Sequence, residues 1–145
     1  MLRPTTLLAL ATLLHTLTAC AQMPVPGEPT ALVGTKWTLE TLRDQLLIDG
    51  STITLEFGEQ PDERFRGSSG CNNYGAQYLA TDMAFSVVDR VETTLMACET
   101  PAGVMEQEET YASVLMDVAT YRVVADRLDM TDEEGDTVLV FRAQE

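Results

Sequence analysis

"GSSGCNNYGAQY", residues 67–78, sets one cysteine, Cys71, among glycines, serines and asparagines. Gly70, Asn72, Asn73 and Gly75 tolerate left-handed backbone, so the stretch reads as a tight corner leading into a strand. The alternative is a ligand-binding loop. Turn chemistry accounts for every residue, which favours a structural bend pinned by Cys71. The flanks agree with a β-rich chain. "KWTLETL" (Lys36–Leu42) alternates, with Trp37, Leu39 and Thr41 on one side, and "STITLEF" (51–57) places Ile53, Leu55 and Phe57 on one face. Such period-two runs of β-formers mark half-buried strands. "RDQLLIDG" between them is a loop ending at Gly50, "GEQPDE" is a turn, and "RFRGSSG" continues as a strand antiparallel to the one before. "AFSVVDRVETTLMAC" is a further extended stretch leading to Cys98.

The period changes in "TPAGVMEQEETYASVLMDVAT" (100–120), where Val104, Tyr111, Val114, Leu115 and Val118 fall near one helical face. Thr100 reads as the N-cap, with Pro101 at the first helical position. Glu106, Glu108 and Glu109 suit the positive end of the helix dipole. Paired carboxylates can act as acid and base on a glycoside, but a solvated helix face is the simpler account. Met105 and Met116 read as packing residues rather than copper ligands. Two short alternating runs then flank "TDEEGD", a hairpin turning at Gly135. Its acids lack the pattern of a calcium loop. The expected fold is α+β: an antiparallel multi-stranded sheet with one main helix packed on one face, near the C-terminal end.

What Cys71 does depends on the compartment. The chain opens "MLRPTTLLALATLLHTLTAC", in which Arg3 precedes an apolar run over residues 7–19. That is the n-region and h-region of a secretory signal. The run is shorter than the roughly 20 apolar residues a membrane span needs, and His15, Thr16 and Thr18 interrupt it. Its end, Leu17-Thr18-Ala19-Cys20, resembles the lipobox of bacterial lipoproteins. The resemblance implies that Cys20 is acylated and that the chain is cut just before it. Several acyl chains on one residue anchor stably where one is marginal. Ala21 in place of Asp implies sorting to the outer membrane, facing the periplasm. "AQMPVPGEPTALV" follows, with three prolines and a glycine, and reads as an extended tether. The expected organisation is a signal peptide at 1–19, a lipidated cysteine and linker at 20–33, and one folded domain at 34–145.

Removing residues 1–19 takes away Arg3 and no acid, leaving 8 basic against 23 acidic residues, a net of −15. This balance excludes nucleic acid as a partner, because phosphates need cationic neutralisation. It also disfavours adhesion to anionic lipid. An acidic solvated surface accounts for it, and a cationic partner is the sharper alternative. Three cysteines is an odd count. Lipidation of Cys20 leaves Cys71 and Cys98 in an oxidising space. The default there is a disulfide closing about 27 residues, worth roughly 3–4 kcal/mol. Two free buried thiols are the alternative. The only histidine, His15, lies in the leader. A thiol nucleophile therefore lacks its usual base, a zinc site lacks its commonest ligand, and Ser–His–Asp chemistry is excluded. "GSSGC" also lacks the spacing of a nucleophile elbow. No catalytic, cofactor-binding or metal residue is expected.

"LVGTKWTLETL", "GSSGCNNYGAQY", "TTLMAC" and "MEQEETY" together resemble the META domain, the family of the bacterial heat-shock lipoprotein HslJ, from about Leu32 to Phe141. Gly34, Thr35 and Trp37 match its opening motif, and Cys71, Asn72, Tyr74 and Tyr78 its central one. Thr94, Met96, Ala97 and Cys98 match the third motif, and Met105, Glu109 and Tyr111 the helix. Ala76 departs from the glycine more usual there. The resemblance implies a compact α+β fold, an envelope location and an association with stress or antibiotic tolerance. It brings no catalytic mechanism. The expected function is thus a non-enzymatic envelope lipoprotein that binds or protects another component. The alternatives are an anchored inhibitor of a cationic secreted enzyme such as a lysozyme, and a carboxylate-only hydrolase. The expected partners are the membrane, through the lipid, and an unidentified envelope protein or ligand. The protein is expected to be a monomer without a cofactor.

Overall fold

Strands dominate the computed structural model, which describes residues 31–59 and 63–144. The leader, Cys20 and most of the tether therefore lie outside the described residues. The order is β1 (Lys36–Leu42), β2 (Gln45–Leu46), β3 (Thr54–Phe57), β4 (Arg64–Ser68), β5 (Asn73–Thr81), β6 (Ala84–Thr93), α1 (Val104–Asp117), β7 (Val118–Val124), β8 (Arg127–Asp132) and β9 (Thr137–Ala143). Every strand pairing is antiparallel, and β1 also pairs with β9, placing Trp37 beside Ala143 and Leu39 beside Phe141. The sheet thereby closes into a barrel of eight strands, with β2 only a short hairpin on β1. This corrects the expected sheet with a helix on one face. Closure rests on a pairing across roughly the whole domain, and alternation inside a single strand carries no record of its distant neighbour.

The interior is filled by one face of each long strand, as closed barrels of this size require. Trp37, Leu55, Phe57, Phe65, Leu128, Met130, Leu139 and Phe141 are all fully buried. Phe57 packs edge-on against Phe65, Tyr78 and Phe85, with ring centroids 5.1–6.1 Å apart. Such contacts add to area burial. Thr41, expected on the buried side of β1, is displaced by a register shift between Leu39 and Thr41 that buries Leu42 instead. A bulge of this kind moves every later side chain to the other face.

Strands β6 and β7 share only the pair Ala84 and Thr120, and α1 lies against β6 while also touching β9. The first half of the helix meets the corner between β4 and β5, and its C-terminal end lies beside the start of β6. Its Tyr111, Val114 and Leu115 join the barrel core. It starts later than the Thr100 and Pro101 signals predict. Its N-cap is Gly103, in the left-handed conformation (φ 87°) and with no side-chain cap, while Thr100 and Pro101 form a turn ahead of it. It also ends earlier, at Asp117. Val118 is extended and buried as the first residue of β7, so core packing overrides the helical period.

Gly67 marks a close approach. A Cβ there lies 1.9 Å from the Thr54 carbonyl oxygen and 2.9 Å from the Tyr74 ring. Tyr74 uses that space to donate its hydroxyl to the Thr54 carbonyl at 2.6 Å, and its oxygen meets the Tyr111 hydroxyl at 2.6 Å. With the Tyr74 proton on Thr54, Tyr111 is the donor to Tyr74. Burial pushes both phenols above their ordinary pKa, so both stay neutral donors. Tyr111→Phe is expected to cost about 1 kcal/mol, the net worth of one buried neutral hydrogen bond. Urea unfolding of the two forms checks this, and an unchanged midpoint contradicts it.

Candidate functional site

The corner at residues 69–72 is built around a carboxylate. Four residues after Val104 and three before Tyr111, Glu108 lies on the apolar face of α1 and is 8% exposed. Its Oε1 accepts from the Ser69 hydroxyl at 2.6 Å, the Cys71 amide at 2.9 Å and the Asn72 amide. Its Oε2 accepts from the Asn72 side-chain amide at 2.8 Å. The loop 69–72 thus folds its donors round one anion, a concave arrangement of amides that favours negative charge. Gly70 makes the wrap possible, with φ 116° and no room for a Cβ beside Ser51 Oγ and Val104. Burial alone raises the Glu108 pKa, but the hydrogen bonds from Asn72, Ser69 and Cys71 outweigh it, so the group is held below the ordinary glutamate value.

Asn72 extends the clasp to a second segment. Its Oδ1 accepts from Thr94 Oγ1 at 2.8 Å and from the Met96 amide at 2.7 Å, and its Nδ2 also donates to the Met96 carbonyl at 3.1 Å. Next to it, Cys71 and Cys98 form a disulfide, with Cα atoms 6.0 Å apart. Residues 94–98 have no regular secondary structure, yet they are tied to the corner by both a cross-link and a side chain using all its hydrogen-bonding capacity. No buried side-chain polar atom lacks a partner among the described residues.

This tied segment carries Leu95, which is 97% exposed, and Met96, which is half exposed. With α1 it borders a groove of about 460 Å³ whose floor includes Asn72, Glu108 and Tyr111 and whose rim includes Met105, Glu106 and Glu109. Among the described residues no lysine or arginine lines it, and no cluster of three His, Cys, Asp or Glu side chains is placed to hold a metal.

The three glutamates, expected together on a solvated face, are therefore separated. Glu106 and Glu109 are exposed, whereas Glu108 is buried and clasped. The helix motif carries Glu108 rather than Glu109 into the site. Its place in the apolar stripe was the available signal. Its donors come from a loop some forty residues upstream, which no helical pattern can indicate. The corner turns tightly at Gly70, and its Cys71 is cross-linked to Cys98.

The architecture of the described residues defines a small antiparallel barrel, closed between its first and last strands, with a helix whose buried carboxylate is clasped by the β4–β5 corner. The chain belongs to the META domain family, whose profile matches residues 30–145. An NMR structure of a protein from Burkholderia xenovorans is similar, with 25% identity, a TM-score of 0.59, and 91% of this chain and 99% of that one covered. A second NMR structure is 19% identical with a TM-score of 0.57, covers 74% of this chain and 87% of the other, and shows a likeness of fold alone. Comparison with curated proteins found no match.

Proposed function

We propose that the protein is a non-enzymatic binding module of a bacterial envelope, held at the membrane by acylated Cys20 and presenting its barrel to the periplasm, where it binds and protects another envelope component under stress. One observation carries this reading. An almost fully exposed leucine, Leu95, sits on a segment fixed in place by Asn72 and the Cys71–Cys98 disulfide. A rigidly held apolar side chain loses little entropy on binding and gains from burial. The state of Glu108 supports the same reading. A general acid needs a raised pKa and a free proton-transfer path, whereas Glu108 is lowered and enclosed by donors. The lipobox resemblance at Cys20 supports the anchor, and the tether gives the domain reach from the membrane.

The test uses the full chain in its own cells. Acyl labelling is expected at Cys20 and lost in Cys20→Ser. A photoactivatable cross-linker at position 95 is expected to capture a discrete envelope component, and one at position 134 is not. Absence of acyl label, or the same captures from both positions, contradicts the reading. A second reading, an inhibitor of a cationic secreted enzyme such as a lysozyme, is favoured by the net charge of −14. It predicts binding that weakens as salt screens the attraction.

A further inference from the structure

We propose that the outer face of α1, with the apolar crests on either side of it, docks a polypeptide segment that places apolar side chains around a lysine or arginine. This rests on the binding-module reading and adds the place and the chemistry of the partner.

Two grooves flank the first half of the helix. The one beside residues 93–96 is about 460 Å³, and the other, about 360 Å³, runs beside residues 42–48. Glu106 borders both and so stands on the divide between them. Each groove has an exposed leucine on its outer side: Leu95 at 97% and Leu46 at 83%. Met96 and Met105 widen the first crest, and their unbranched side chains adapt to varied partners. Apolar surface on both sides of one helix is the kind that marks an interaction site.

The charge between the crests selects the occupant. Glu106 and Glu109 are exposed, and neither forms an ion pair among the described residues. Arg43, the one cation among the described residues that borders the second groove, is bound to Asp117 at 3.1 Å. A wholly apolar partner covering both crests strips water from two carboxylates and returns nothing to them. A second copy docked about a two-fold axis brings this acidic face against itself. An anionic lipid surface is repelled by the same groups. A segment with a cation between apolar side chains satisfies the acids and covers the leucines together.

The experiment uses the full chain, a short amphipathic peptide of leucine and lysine, and the same peptide with glutamate for lysine. Fluorescence anisotropy of the labelled peptides is read at low and moderate salt. The lysine peptide is expected to bind saturably and more weakly as salt rises, and the glutamate peptide not at all. Glu106→Gln with Glu109→Gln is expected to weaken binding about tenfold, as is Leu46→Ser with Leu95→Ser. All four positions are exposed, and thermal unfolding should confirm that the variants fold. Glu133→Gln with Glu134→Gln should leave affinity unchanged, and an equal loss there means long-range charge alone and overturns the site. Binding lost with the leucines but kept without the acids overturns the cationic partner and leaves the binding-module reading standing. Failure of every peptide while position 95 still captures an envelope component overturns only the present proposal. Concentration-dependent self-association that Leu95→Ser abolishes assigns the face to a second copy and overturns it too.

Discussion

Glu108→Ala is expected to lower the free energy of unfolding by about 3–5 kcal/mol, because it removes one acceptor shared by four neutral donors. The substitution leaves the Ser69 hydroxyl, two backbone amides and the Asn72 side chain without their common acceptor. Each stranded donor costs about 1–3 kcal/mol, softened where water enters. Glu108→Gln keeps the shape but turns an NH2 group toward donors, so it should restore only part of the loss. The same carboxylate sets an acid limit. Its folded pKa lies below the ordinary value of 4.5, so the stability it contributes is fully present above that value. The contribution is lost as pH falls through the lowered folded value. Urea titrations at neutral and acid pH should therefore show a wild-type decline in acid that is shallower in Glu108→Ala. Identical pH profiles remove Glu108 as the cause.

The second large effect concerns the cross-link a few residues away. Cys71→Ser with Cys98→Ser is expected to cost about 3–4 kcal/mol, because the open chain regains the loop entropy of a 27-residue separation. Asn72 still holds Met96 in that variant, so segment 94–98 should loosen less than global stability falls. Hydrogen exchange at residues 94–98 separates the two quantities. Combining the cysteine change with Glu108→Ala should give less than the sum of the separate losses, since both act on loop 69–72 and neighbouring sites couple. Strict additivity in that cycle shows that the clasp and the cross-link act independently.

Most strands were legible because each carries its own evidence. Trp37 with Leu39, and Ile53 with Leu55 and Phe57, alternate as half-buried strands must. The hairpin at Gly135 and the corner at Gly70 were legible because their residues suit positive φ, and both glycines adopt it. Closure was not legible, because the pairing of Leu39 with Phe141 depends on two segments about a hundred residues apart. The helix start was misplaced because Thr100 and Pro101 carry the familiar signals, whereas Gly103 caps without a side chain. The site was half legible. Asn72 and the cysteines stood out by type, but Glu108 was grouped with Glu106 and Glu109 because acids on a helix usually face water. Only the loop donors, brought in by the fold, make a buried carboxylate the stable choice.

The seam between β1 and β9 bears on how the polypeptide reaches its finished form. Any machine that delivers the chain N-terminus first releases Leu39 long before Phe141, its partner across the seam. Until those last residues emerge, β1 waits with a free hydrogen-bonding edge, and the wall cannot be sealed. Delivery and completion are thus coupled by topology. A premature stop before β9 leaves an open, sticky sheet, so truncation there should be read in aggregation and proteolysis rather than in a modest fall of melting temperature.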